Sequence, residues 1–286
     1  METCPERWII VTPCRNEAQN LRQLALSLAE QTYQCITLWV IVDDGSTDDT
    51  SQVASVLTTP FPIQVLRRMN SGGLAGGSEY EAWWYGVETG LRVFSNPTRV
   101  MKLDADMVLP SDYFEHMAGS VADLIGGLVW DWGSREQRHH IPGALKAYNL
   151  RALEVLRGLP KTIGLDVLDE IALERAGLQV AVIHDALVRT ARPTGSSEGF
   201  VRGRVRNGRV LRWVGYNPVY FCLHVARYLV RRPVVLGGVL VVYGYATAGA
   251  GPYPVWLKRA HAQMQRRKLR SLMRNPIKWI RETYFY

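Results

Sequence analysis

The first hundred residues alternate short apolar runs with stretches whose apolar positions recur every three or four residues. Residues 8–12 form the first run, and Leu21, Leu24, Ala25 and Leu28 follow at helical spacing. A second run at 37–42 stops at the turn-rich Asp43-Asp44-Gly45-Ser46, after which Ser46 or Thr47 can cap a helix through Leu57. Residues 63–66 make a third run. A glycine-rich loop with Gly72, Gly73, Gly76 and Gly77 then leads into a long helix carrying Trp83, Trp84, Val87 and Leu91, and a fourth strand is predicted at 99–103. Strand and helix alternating in this way predict an α/β fold with a doubly wound, mostly parallel sheet. Ligands of such sheets bind beyond the carboxyl ends of the strands, and Arg15, Asp44 and Asp104 fall at such ends.

Beyond Pro110 the pattern is less regular. It predicts a strand at 126–130, helices at 144–157 and 165–176, and a strand at 180–183. From Gly195 arginines come every two or three residues, and the stretch 233–257 then holds no charged residue at all. From Lys258 the chain is basic and helix-prone. These shifts predict two regions, 1–195 and 196–286.

Charge sharpens that division. The chain of 286 residues has a formal net charge of +8. Residues 1–198 hold 17 basic and 25 acidic side chains, a net of −8, whereas 199–286 hold 17 basic side chains and the single acid Glu282, a net of +16. A basic end on an acidic body points to an anionic surface, either nucleic acid or membrane. Cys4, Cys14, Cys35 and Cys222 show no C-x-x-C pairing, so neither a metal knuckle nor a disulfide scaffold is predicted and a reducing cytosol is expected. No secretory leader is expected from METCPERWIIV.

Asp104-Ala105-Asp106 is the sharpest chemical feature. Two carboxylates bracket a small residue just after a buried strand, a hard-oxygen pair suited to Mg2+ or Mn2+ with substrate phosphates completing the coordination. A solvated turn is the other reading of the same residues. Asp166, Asp169 and Glu170 sit at the start of a predicted helix, where the helix N-terminus favours ionised carboxylates. Taken by themselves they read as ordinary first-turn charge of a helix. His139 and His140 are adjacent, point apart on regular structure, and read as a polar loop. Trp83, Trp84 and Tyr85 read as core or interface. The glycine loop lacks G-x-G-x-x-G spacing and no G-x-x-x-x-G-K-[ST] occurs, which excludes dinucleotide and P-loop sites.

Three segments change the weight of these residues when taken together. Thr12-Pro13-Cys14-Arg15-Asn16-Glu17, Val42-Asp43-Asp44-Gly45-Ser46-Thr47-Asp48-Asp49-Thr50 and Leu103-Asp104-Ala105-Asp106 occur in order at strand ends. In this the sequence resembles the family 2 glycosyltransferases, whose fold is GT-A, a Rossmann-like doubly wound sheet. The resemblance implies that Pro13, Arg15 and Glu17 line a nucleoside and that Asp44 accepts from its base. It implies Asp104 near ribose and metal, Asp106 on the Mn2+ or Mg2+ that binds the diphosphate, and Arg68 and Gly73 near the nucleotide. Gly164-Leu165-Asp166-Val167-Leu168-Asp169-Glu170 resembles the W-D-x-x-D-E segment of one subgroup, with Leu165 where tryptophan is usual. That implies Asp169 as the base that deprotonates the acceptor, with Glu170 second. Arg192-Pro193-Thr194-Gly195 is similar to an R-P-T-G segment of that subgroup, so Arg192 is either a diphosphate partner or a turn arginine.

The basic end then distinguishes its partners. A nucleic-acid arm explains the arginines but not the uncharged run, whereas an anionic membrane explains both. Positive flanks on both sides, together with Pro252 and Pro254, favour interfacial or re-entrant helices over a span, and a soluble helical subdomain is the remaining alternative. The expected function is metal-dependent, inverting transfer of a sugar from a UDP- or GDP-sugar to a lipid-linked or polysaccharide acceptor. Its expected place is the cytoplasmic face of the cell membrane. The alternatives are a non-catalytic nucleotide-sugar-binding adaptor at the membrane and a sugar nucleotidyltransferase.

Overall fold

The structure, a computed structural model, describes residues 5–70, 78–130, 140–191, 199–229 and 235–275. Its contacts divide into two units: Met1–Ile163 with Leu173–Thr194, and Gly164–Ala172 with Gly195–Tyr286.

Among the described residues the first unit is built on one sheet of eight strands. They are β1 (Trp8–Cys14), β2 (Ile36–Asp44), β3 (Ile63–Arg68), β4 (Arg99–Lys102), β5 (Met107–Val108), β6 (Leu124–Trp130), β7 (Ala147–Tyr148) and β8 (Val180–Thr190). Their order is β3-β2-β1-β4-β7-β6-β8-β5. β1 pairs in parallel with β2 and β4, β2 with β3, and β6 with β8; the two-residue strands β5 and β7 run against their neighbours. The sheet is therefore mostly parallel, as predicted.

Both faces of the parallel part are covered, which is why its strands are continuously apolar rather than alternating. On one face Trp8, Ile10, Trp39 and Ile41 pack in one cluster with Leu21, Leu24 and Leu28 of α1 (Ala18–Ala29), Val53 of α2 (Thr50–Val56) and Phe114 of α4 (Tyr113–Met117). On the other lies α3 (Ser78–Val93). Gly86 and Gly90 bring its backbone down onto Val11, Val42, Ile9 and Val40; a Cβ on Gly86 would run into the Val11 and Val42 methyls. Trp83 and Trp84 are buried core, as the sequence predicts.

Two expectations are corrected here. Residues 144–157 are not one helix: a 3-10 turn at Gly143–Leu145 and β7 precede α5 (Leu150–Arg157). Asn149 ends the strand and starts the helix by accepting from the Ala152 amide at 2.9 Å. Nor do Ser46 and Thr47 cap α2, whose N-cap residue is Asp49. They bind the end of β1 instead.

Among the described residues the second unit contains the start of α6 (Leu165–Arg175) and four further helices, α7 (Phe200–Trp213), α8 (Pro218–Leu229), α9 (Leu236–Thr247) and α10 (Val255–Arg274). α7 and α9 touch backbone to backbone. A Cβ on Gly208 would collide with the Val241 carbonyl, and one on Gly244 with the Val205 carbonyl. A polar seam joins α10 to the turn after α7. The Asn217 amide donates to Gln265 Oε1 at 2.7 Å, which orients the Gln265 amide so that Nε2 donates to His261 Nε2 at 3.0 Å. His261 Nδ1 in turn donates to the Val214 carbonyl at 2.8 Å. These partners suit one neutral tautomer. Burial holds the imidazole below its ordinary pKa, Lys268 adds to that, and the Val214 carbonyl opposes it.

Candidate active site

The ends of β1 and β2 are laced together by the residues that sequence reading took for a helix cap. Asn16 adopts a positive φ of 57°, a conformation asparagine tolerates better than most residues. Its Oδ1 accepts from the Thr47 amide at 2.8 Å, while its own amide donates to Ser46 Oγ at 3.0 Å. The Glu17 amide donates to Thr50 Oγ1 at 2.8 Å, and the buried Glu17 carboxylate accepts from Asn20 Nδ2 at 2.6 Å. Pro13 is buried in β1 in register with Val42, and Arg15 is exposed.

The two aspartates that close β2 have separate work. Asp43 is wholly buried and holds the turn, accepting from the Ser46 amide at 2.8 Å and from the Ser51 hydroxyl. Asp44, its neighbour, takes a cluster of its own. Its Oδ2 accepts from Asn70 Nδ2 at 2.7 Å and from the Ser78 hydroxyl. Its Oδ1 lies 3.3 Å from Arg68 Nε, yet among the described residues it is a buried oxygen that accepts no hydrogen bond. Gly45, at φ 74°, allows the chain to turn immediately afterwards.

A second cluster forms where β4 ends. Strand alternation puts Lys102 and Asp104 on one side. The buried Lys102 ammonium pairs with Asp104 and, at 2.7 Å, with Glu79 Oε1. Burial, Glu79 and Asp106 push the Asp104 carboxyl up to about 6 against the opposing pull of Lys102. For Lys102 the balance is reversed: burial disfavours its charge, but Asp104 and Glu79 win and raise it. Ala105 is buried between two partly exposed aspartates, Asp104 and Asp106.

The first turn of α3 joins the two clusters. Ser78 reaches Asp44, Glu79 reaches Lys102, and Glu81 meets Arg68 Nη2 at 3.0 Å, the same guanidinium whose Nη1 donates to the Ser78 carbonyl at 3.3 Å. The predicted residues Asp44, Arg68, Asp104 and Asp106 thus belong to a single charged patch at the strand ends. Asn70, Ser78, Glu79, Glu81 and Lys102 are members that sequence reading missed. Lys102 had a signal, as a lone charge in the apolar run Val100-Met101-Lys102-Leu103 two residues before Asp104. Among the described residues no group of three or more His, Cys, Asp or Glu stands ready for a metal ion. The donors present are the aspartate oxygens of Asp104 and Asp106, and Asp104 shares the Lys102 ammonium with Glu79.

Asp169 and Glu170 lie in the other unit, on α6. Asp169 is buried, with Oδ1 accepting from the Glu170 amide at 2.7 Å, and Glu170 is partly exposed. Within that unit Tyr253 is buried, and its hydroxyl is raised by burial and then by Asp166 and Asp169. Gly73, with the rest of the glycine loop from Gly72, lies outside the described residues, as do Arg192 and His139.

Residues 9–129 match the model of Glycosyl transferase family 2. No curated protein matches the sequence. Three solved structures are similar in fold. The mannosyltransferase PcManGT from Pyrobaculum calidifontis, in complex with GDP-Man and Mn2+, is 20% identical with a TM-score of 0.54, the match covering 95% of this chain and 81% of that one. S. aureus TarS 1–349 is 14% identical with a TM-score of 0.54, covering 94% and 92%. Glucosyl-3-phosphoglycerate synthase from Mycobacterium tuberculosis, in complex with Mn2+ and UDP-glucose, is 17% identical with a TM-score of 0.53, covering 72% and 78%. These likenesses bear on the fold, and the family match covers the three strand ends where the clusters lie. Residues 9–129 thus form a family 2 glycosyltransferase domain, and the fold of the chain is the GT-A fold of these structures.

Proposed function

We propose that the enzyme transfers a sugar from a UDP- or GDP-sugar to a lipid-linked or polysaccharide acceptor at the cytoplasmic face of the cell membrane, with inversion at the anomeric carbon. The observation that carries the donor half is Asp44. Its carboxylate is buried and fixed by Asn70, Ser78 and Arg68, while Oδ1 accepts no hydrogen bond among the described residues. Arg68 Nε balances the charge on Oδ1 at 3.3 Å without filling its hydrogen-bonding capacity, so a base N–H of the nucleotide finds an acceptor there, a charged hydrogen bond worth about 1.5–3 kcal/mol. Pro13, Arg15 and Glu17 flank the same edge, and Gly73 and Arg192 belong to this reading by sequence position.

The residues at the end of β4 fit a divalent cation. Asp104 and Asp106 offer hard oxygens on either side of Ala105, the donor chemistry a divalent cation takes. Mn2+ or Mg2+ held there would offset the charge that develops on the leaving diphosphate. The solved complexes of similar fold that contain Mn2+ with GDP-Man or UDP-glucose support this assignment. The chain's own residues divide the remaining work. Lys102 and Glu79 set the rotamer of Asp104, and Asp169, with Glu170 second, takes the proton from the attacking acceptor hydroxyl.

The test is turnover across a panel of nucleotide sugars with Mn2+ or Mg2+. One donor class is expected to release its diphosphate. Asp169→Asn is expected to slow transfer by about 10²–10⁴-fold while donor binding persists. Absence of turnover with every donor, with and without metal, contradicts the reading.

A further inference from the structure

The second unit exposes an apolar surface that its own helices leave uncovered. α9 buries its small face, Gly237, Gly238, Val241 and Gly244, of which Gly244 packs directly on α7. Its opposite face therefore points outward with its larger side chains: Leu236, Val239, Val242 and Tyr243 are exposed, Val239 at 53% and Tyr243 at 58%. α8 repeats the arrangement. Phe221 stacks on Tyr245 with ring centroids 4.2 Å apart, and Val225 is buried, whereas Val219 and Leu223 are exposed at helical spacing. An inside-out distribution of this kind, glycine inward and branched aliphatics outward, is a poor fit to water.

Charge identifies what covers it. Between Gly199 and Asn275 the chain has no aspartate or glutamate. Two α7 arginines lie over rings: Arg204 is 4.3 Å from the Tyr228 centroid and Arg212 is 5.2 Å from Tyr245. Arg202, Arg212, Arg259, Arg266 and Arg267 are exposed. A helix of 12 residues is about 18 Å long against a hydrocarbon core of about 30 Å, and among the described residues no helix is long and apolar enough to cross a membrane. Nucleic acid would meet the arginines and leave α9 wet. We infer that the outward faces of α8 and α9 are a docking surface for an anionic lipid bilayer, with α9 lying in the headgroup boundary and the arginines binding lipid phosphates. This docking rests on the membrane-face part of the proposed function and is independent of the donor chemistry, so its failure and that of the donor reading are separable.

Flotation of the full chain with vesicles of phosphatidylcholine, with and without 30 mol% phosphatidylglycerol, tests it. The chain is expected to float with anionic vesicles, less so in high salt, and Val239→Asp with Val242→Asp is expected to lower partitioning at least about tenfold. Cys222, exposed on α8, gives a reading that needs no disruptive change. In a Cys4→Ser chain, an environment-sensitive dye on Cys222 is expected to shift to the blue with anionic vesicles. No shift, equal flotation with purely zwitterionic vesicles, or unchanged partitioning of the folded double variant overturns the docking surface. So does a stable dimer in lipid-free buffer that the double variant converts to monomer, because the surface would then be covered by a second copy.

Discussion

The strand-end patch and the basic helical unit handle charge in opposite ways. At the ends of β2 and β4 every described cation has a carboxylate: Arg68 has Asp44 and Glu81, and Lys102 has Asp104 and Glu79. The stretch between Gly199 and Asn275 has no carboxylate of its own, and Arg204, Arg212 and Arg209 lie over Tyr228, Tyr245 and Trp213. Paired charges fix the geometry of the strand-end side chains. Guanidinium groups laid on rings keep a packing contact while their edge N–H groups can still meet an outside anion. The same side-chain chemistry thus builds a site in one region and a surface in the other.

The largest effect should come from the acidic side. Asp106→Ala is expected to lower sugar transfer by about 10²–10³-fold with an unchanged melting temperature, measured by initial rates and thermal unfolding. Asp106→Ala with near wild-type rates removes the cation from the account. Next in size is Lys102→Met, which leaves Asp104 and Glu79 facing each other without their ammonium. Transfer should fall about 10–100-fold, together with a loss of apparent metal affinity by titration. A purely structural lysine would lower the melting temperature and leave the metal titration unmoved.

The helical unit breaks differently. Gly244→Ala drives a methyl into the Val205 carbonyl and is expected to cost about 1–3 kcal/mol of stability, read by denaturant unfolding. Donor binding should be spared. His261 supplies a pH dependence confined to that unit. Its folded pKa lies below the ordinary 6.5, so the unfolded chain binds the proton first as pH falls. Stability should be flat above about pH 7 and decline below 6.5 by at most about 1.4 kcal/mol per pH unit. The smallest effect is Arg212→Ala, about 0.5–1 kcal/mol through its contact with Tyr245.

How legible each feature was follows from how local its cause is. The parallel core could be read because β1, β2 and β4 are apolar runs bounded by turns, and Asp44 and Asp104 because a parallel sheet presents its strand ends. The patch partners were not legible. Glu79 and Glu81 look like ordinary first-turn acids of α3, and only the packing of that helix on β1 and β2 brings them to Lys102 and Arg68. Residues 144–157 misled because Ala147 and Tyr148 carry no local signal against a helix; their pairing with Met101 and Val100 is long-range. The Ser46 and Thr47 expectation failed for a similar reason, since their partner Asn16 lies about 30 residues away in the chain.

The central claim is that one nucleotide sugar binds at Asp44 with a cation at Asp104 and Asp106. Calorimetric titration of the UDP- and GDP-sugars with Mn2+ tests it most directly, on the wild-type chain, Asp44→Asn and Asp106→Ala. One donor is expected to bind the wild type only when Mn2+ is present. Asp44→Asn should weaken it about tenfold or more through the lost base contact, and Asp106→Ala should remove the binding that Mn2+ confers. Binding that ignores both substitutions and the removal of Mn2+, or no binding by any donor, would contradict the account.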